Sequence, residues 1–140
     1  MGRWFWRGAL AAYLALMLYL TTRPNLHPPL RFEYSDKVAH FGEYAALGFL
    51  SRMVAGDLLT GARKRPALVG ALVFGFGLLI AGLDETIQRS VPGRLSSWSD
   101  FGADVIGILV GLAVAGWTAG RGKGAGGGKN ASRAKERSGR

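Results

Sequence analysis

Two polar clusters hold nearly all the chemistry this chain can offer. The first is Asp36, Lys37, His40, Glu43 and Tyr44. The second is Asp84, Glu85 and Gln88, followed by Arg89, Arg94, Asp100 and Asp104. Carboxylates near a histidine are the groups that bind a divalent cation, move protons or position a polar ligand. Asp36, His40 and Tyr44 follow one another at i, i+4, as do Asp84 and Gln88, and Asp100 and Asp104, so each set makes a polar stripe on one helix face. Six of the nine acids fall in these clusters. The absence of cysteine excludes disulfides, thiolate metal centres and a cysteine nucleophile. Two histidines, His27 and His40, are too few for a histidine-rich metal centre.

The elements that must position these groups are apolar. The 140 residues fit one domain, 49% hydrophobic and only 19% charged, with the apolar residues gathered into four runs. The first, residues 8–22, follows Arg3, Trp4-Phe5-Trp6 and Arg7. It has the basic start of a signal peptide but no small-residue cleavage site, and reads as an uncleaved membrane helix with an aromatic belt and Arg7 snorkelling toward headgroups. Residues 23–35 contain three prolines and read as a loop that includes His27. The second run starts at Asp36, capped by Ser35 or Asp36, and is polar enough to suit a helix packed against others with its stripe inward. A basic turn over residues 60–66 leads to a third, uncharged run, 67–83. Pro92-Gly93 predicts a tight turn, and Ser97-x-x-Asp100 a capping box opening the fourth helix. That helix carries Gly107-x-x-x-Gly111, a small-residue face suited to close approach of another helix, including one from a second copy.

These features predict an all-α, polytopic membrane protein: an antiparallel bundle of four transmembrane helices near 4–22, 36–56, 67–86 and 99–118. Residues 121–140, rich in Gly, Ser, Lys and Arg, read as a disordered basic tail. The net charge of +9 is concentrated there. With no aromatics for stacking and no nucleic-acid-binding module, the tail suits anionic headgroups rather than nucleic acid. With both termini inside, thirteen Lys and Arg face the cytoplasm and five the exterior, so the charge bias predicts cytoplasmic termini in the plasma membrane. The start of helix two, the end of helix three and the start of helix four then share the extracytoplasmic face. Trp98 is expected to anchor the outer loop.

The blocks DKVAHFGEYAALG and DETIQRSVPGRLSSWSDFGADVIGILVG, within residues 31–116, resemble the VanZ-like family of small bacterial membrane proteins. The family shows a D-K-x-x-H-x-x-x-Y block, then D-E-x-x-Q, an arginine and an Asp-rich helix start. The resemblance assigns the family's polar positions to Asp36, Lys37, His40, Glu43, Tyr44, Asp84, Glu85, Gln88, Arg94, Asp100 and Asp104. Where Asp104 stands the family often has asparagine. The resemblance implies a cell-envelope role, associated with low-level resistance to the glycopeptide teicoplanin, and supplies no reaction.

Three activities suit the constellation. One is binding of an anionic lipid headgroup, with Lys37 and Arg94 beside it, or of a lipid-linked cell-wall precursor. Another is an enzyme, which leaves Glu85, Asp104 and His40 as catalytic candidates. In it Asp84, Glu85, Asp100, Asp104 and His40 hold a divalent cation against a phosphate ester, or His40 acts as general base oriented by Glu43 or Asp36. The third is proton-coupled transport. The structural alternatives are that Asp36 and Asp100 cap helices and that Glu43–Arg94 and Asp84–Lys37 are ion pairs. Arg52 and Asp57 read as interfacial. Glu85 and Asp104 are the hardest acids to explain structurally, with no cation within one turn of either on its own helix.

Overall fold

The computed structural model describes residues 2–24, 34–59, 65–93 and 97–138, with side chains described to Ala119. Four helices make up the fold, α1 (Arg3–Thr21), α2 (Ser35–Leu58), α3 (Pro66–Gln88) and α4 (Trp98–Ser138), and no strand occurs among the described residues. Their ends lie within two residues of the limits read from the sequence, except at the end of α4.

Local sequence explains the boundaries. α1 is an Ala- and Leu-rich stretch that ends ahead of Pro24, whose ring disfavours helical backbone in the residue before it. α3 begins with Pro66 in its first turn, where the missing N–H costs nothing. After α3, Gly93 takes φ 78° in the expected turn, a conformation only glycine adopts without strain. At the start of α4, the Asp100 backbone N–H donates to Ser97 Oγ at 3.3 Å. α2 departs from expectation: its N-cap is Tyr34, with no side-chain cap, and Ser35 and Asp36 already lie inside the first turn. Asp36 therefore acts there through its charge near the helix N-terminus rather than as a cap. α4 is helical to Ser138, where composition alone suggests no regular structure. No proline follows Pro92 to interrupt the i→i−4 hydrogen bonds.

α2 is the central element and touches all three other helices, α4 most extensively. Arg7 of α1 donates to Asp57 of α2 at 2.9 Å, which sets these helices antiparallel and closes one end of the bundle. This turns Arg7 into the protein rather than outward, against the expectation of snorkelling. At the other end Thr21 of α1 reaches Asp84 of α3. α2 and α4 run parallel at a nearly constant offset, shown by His40 against Asp104, 64 residues apart.

Glycine makes that parallel contact close. A Cβ built at Gly107 would lie 2.5 Å from the carbonyl oxygen of Phe41, and one at Gly111 would lie 2.1 Å from that of Ala45. The Gly107/Gly111 face is thus filled by α2 of the same chain, which leaves no room there for a second copy. Ile108, wholly buried between these glycines, presses on Gly48 of α2 and Gly77 of α3. With Met17, Tyr44, Leu47 and Ala81 it forms the core.

The outer surface is apolar. Leu16 and Leu18 on α1, Leu72, Leu79 and Leu83 on α3, and Ile106, Leu109 and Val114 on α4 are all exposed. On α2 the exposed large apolar residues are only Val38 and Leu58, near its ends. α3 and residues Trp98–Ala119 of α4 are long and apolar enough to cross a membrane.

The close approach gives a direct test. Gly111→Val should force α2 and α4 apart, cost about 1–3 kcal/mol and lower the thermal midpoint of the detergent-solubilised protein. Gly116→Ala, with open space around the new methyl, should leave the midpoint unchanged or raise it.

Candidate functional site

The two polar clusters meet at one end of the bundle. Seven buried polar or charged side chains converge there: Thr21, His40, Asp84, Glu85, Gln88, Asp100 and Asp104. Helical register explains why. Asp100 and Asp104 start α4, Asp36 and His40 start α2, and the parallel packing of the two helices sets Asp36 level with Asp100 and His40 level with Asp104. Asp84, Glu85 and Gln88 enter from the end of α3, and Thr21 from the end of α1.

Isolated ionised carboxylates cost several kcal/mol to bury, so their partners matter. Asp104 is 1% exposed and its Oδ1 lies 3.0 Å from His40 Nδ1. Asp84 accepts from Thr21 Oγ1 and, at 2.9 Å, from Gln88 Nε2. Asp100 accepts from Ser97 Oγ at 2.7 Å and, through its other oxygen, from Lys37 Nζ at 3.4 Å. Glu85 pairs with Arg89 at 3.5 Å. Asp36, Lys37 and Glu43 are half-buried at the margin of the cluster.

Tyr44 is the exception. It is completely buried one turn below His40, and its hydroxyl lies beside Asp84 without hydrogen-bond geometry to any described group. Such an orphaned donor costs about 1–3 kcal/mol unless a ligand or water completes it. Ser51, deeper on α2, has a similarly unsatisfied hydroxyl and borders an apolar recess of about 180 Å³ lined by Leu10, Val54, Leu72 and Phe76.

The structure revises three details of the sequence reading. Lys37 meets Asp100 rather than Asp84. Glu85 has a cation in reach after all, because Arg89 at i+4 lies over one turn and folds back onto it. Thr21, overlooked as the end of an apolar run, is an integral part of the cluster; its signal was a hydroxyl residue at the depth where α3 becomes acidic. Arg94, and with it the expected Glu43–Arg94 pair, lies outside the described residues, as does His27. Arg52 and Asp57 sit at the opposite end, where Asp57 holds Arg7.

Chemically, the arrangement is an acid-rich recess with one imidazole. One ligand atom from each of Asp36, His40 and Asp100 lies within 4.8 Å of the others. Asp104, placed behind His40, is suited to orient its ring. The described cations at this end are Lys37 and Arg89, each already against a carboxylate, and Arg23, which is exposed and stacked over the Tyr19 ring. Hydroxyl- or amine-bearing ligands therefore suit the recess better than a bare anion.

Residues 9–118 match the model of the family described as VanZ/LLP1. No curated protein and no solved structure matches the chain.

Asp84 gives the test of how the recess is held together. Thr21→Val and Asp84→Asn should each destabilise the protein, by about 1–3 kcal/mol. The double variant should cost clearly less than the two together, with a coupling of about 1 kcal/mol in a double-mutant cycle of unfolding in detergent. Additive losses would mean that the two side chains act independently.

Proposed function

The chain belongs to the VanZ/LLP1 family, and from that premise we propose a multi-pass bacterial membrane protein whose buried polar recess binds an envelope lipid. The recess takes a lipid headgroup or the polar head of a lipid-linked cell-wall precursor. All four helices cross the membrane, both termini are cytoplasmic, and the recess opens on the extracytoplasmic side. Low-level teicoplanin resistance is the phenotype such binding would serve, since that antibiotic acts on the cell wall.

The observation that carries this reading is the convergence of buried Asp84, Asp100, Asp104, His40 and Gln88 at one end of a bundle with an apolar exterior. Buried ionisable groups facing a bundle interior mark ligand and ion sites in membrane proteins. α1 and α2 are less apolar than α3 and the first part of α4, and the position of α2 among three other helices removes its need for an apolar surface. Its polar face meets protein rather than lipid. The acid excess favours heads carrying hydroxyls or amines, which donate to carboxylates.

A second reading has support from the grouping of Asp36, His40 and Asp100: a metal-assisted hydrolase or transferase acting on a phosphate-containing lipid, with Glu85, Asp104 and His40 as its catalytic candidates. Proton-coupled transport has less support, because four helices leave little room for alternating access.

Two measurements test the main reading. Mass spectrometry of lipids retained by the purified protein should find one class near stoichiometric amount, lost in a folded His40→Phe variant. Equal retention of mixed lipids by both proteins would sink it. The natural absence of cysteine allows a clean topology test: Ser99→Cys in intact cells should react with an impermeant thiol reagent, and Ser138→Cys only after lysis.

A further inference from the structure

We infer that Asp36, His40 and Asp100 bind a divalent cation at the mouth of the recess, a first-row ion of the zinc or manganese class. Asp104 acts as a positioning residue for His40. The role of the cation, to hold a phosphate-bearing head against an acidic recess, rests on the headgroup reading; the site itself rests on the residues.

The donor atoms lie within 4.8 Å of one another. Ligands about 2.1 Å from one ion stand about 3.4 Å apart in tetrahedral geometry, so the three side chains draw together as an ion binds, and Asp36, the half-buried one, has the most freedom to move. His40 has its Nδ1 committed to buried Asp104 at 3.0 Å. Nε2 is then the ligating nitrogen, and the carboxylate–histidine–metal order is the one that fixes ring orientation in metal sites. An imidazole among carboxylates favours zinc or manganese over magnesium or calcium.

A separate observation also points to a ligand here. Tyr44, fully buried on the same face of α2 as His40, sets its hydroxyl beside the Asp84 carboxylate but outside hydrogen-bond geometry, and the charges of Asp84 and Asp104 act on it. An aqua ligand or the head of a bound molecule entering the recess would complete it. Two positive charges would also relieve the imbalance of Asp36, Asp100 and Asp104 gathered around one imidazole. Lys37 now stands beside the Asp100 oxygen at 3.4 Å, with its side chain 39% exposed, and its flexible stem lets it swing out as the ion enters.

Calorimetric titration of zinc and of manganese into the full-length protein in detergent should show one saturable site for at least one of them. Asp36→Asn, at a half-buried margin position, should weaken it at least tenfold, and Asp104→Asn about 10–100-fold by freeing the ring. Asp57→Asn, at the other end of the bundle, should leave it unchanged. Lys37→Met should tighten binding, because it removes a competing ammonium; damage to the fold can only weaken it. No saturable binding below millimolar metal, equal binding by Asp36→Asn and wild type, or weaker binding by a Lys37→Met protein that keeps the wild-type thermal midpoint would each overturn the site. Metal bound normally while retained lipid is indifferent to chelation would uphold the site and overturn the headgroup reading alone.

Discussion

The close parallel contact of α2 with α4 is the constraint on which the rest depends. Gly107 and Gly111 let α4 lie against the carbonyls of Phe41 and Ala45, and that contact fixes the register. Once it is fixed, Asp36 faces Asp100 and His40 faces Asp104 with no further adjustment. A shift of one residue would rotate α4 by about 100° and carry Asp104 away from the imidazole. The polar recess is thus a product of glycine packing beneath it. Ile108, seated between Gly48 and Gly77, brings α3 into the same arrangement and delivers Asp84 to the recess.

The two ends of the bundle differ in purpose. At one, an ion pair between Arg7 and Asp57 ties α1 to α2. At the other, acids outnumber cations, and neutral donors share the work: Thr21 and Gln88 on Asp84, Ser97 on Asp100. A closing contact needs only balance of charge. At this end the carboxylates exceed the described cations, and the buried Tyr44 hydroxyl stays outside hydrogen-bond geometry.

Much of this was legible in the sequence because two periodicities coincide. Apolar runs marked the helices, and polar residues at i, i+4 within them marked the faces that turn inward. The depth shared by residues 36–44, 84–88 and 100–104 followed from an alternating bundle alone. What the sequence could not give was lateral neighbourhood. Lys37 has acids available on both α3 and α4, and only the packing decides for Asp100. Gly107-x-x-x-Gly111 announces a close approach without saying whose backbone approaches. Thr21 offered only a hydroxyl at the end of an apolar helix, a signal that gains weight once Asp84 stands opposite.

The offset of 64 residues between His40 and Asp104 also orders the life of the molecule before it is complete. α2 is synthesised long before the helix that receives its polar face. Until α4 emerges, that face has α1 and α3 for company but lacks the acids matched to Asp36 and His40. A segment with that composition is poorly held by lipid alone. The packing of α2 is then completed only by the last helix, and a ribosome stalled before Trp98 would carry a chain whose central element has not yet settled.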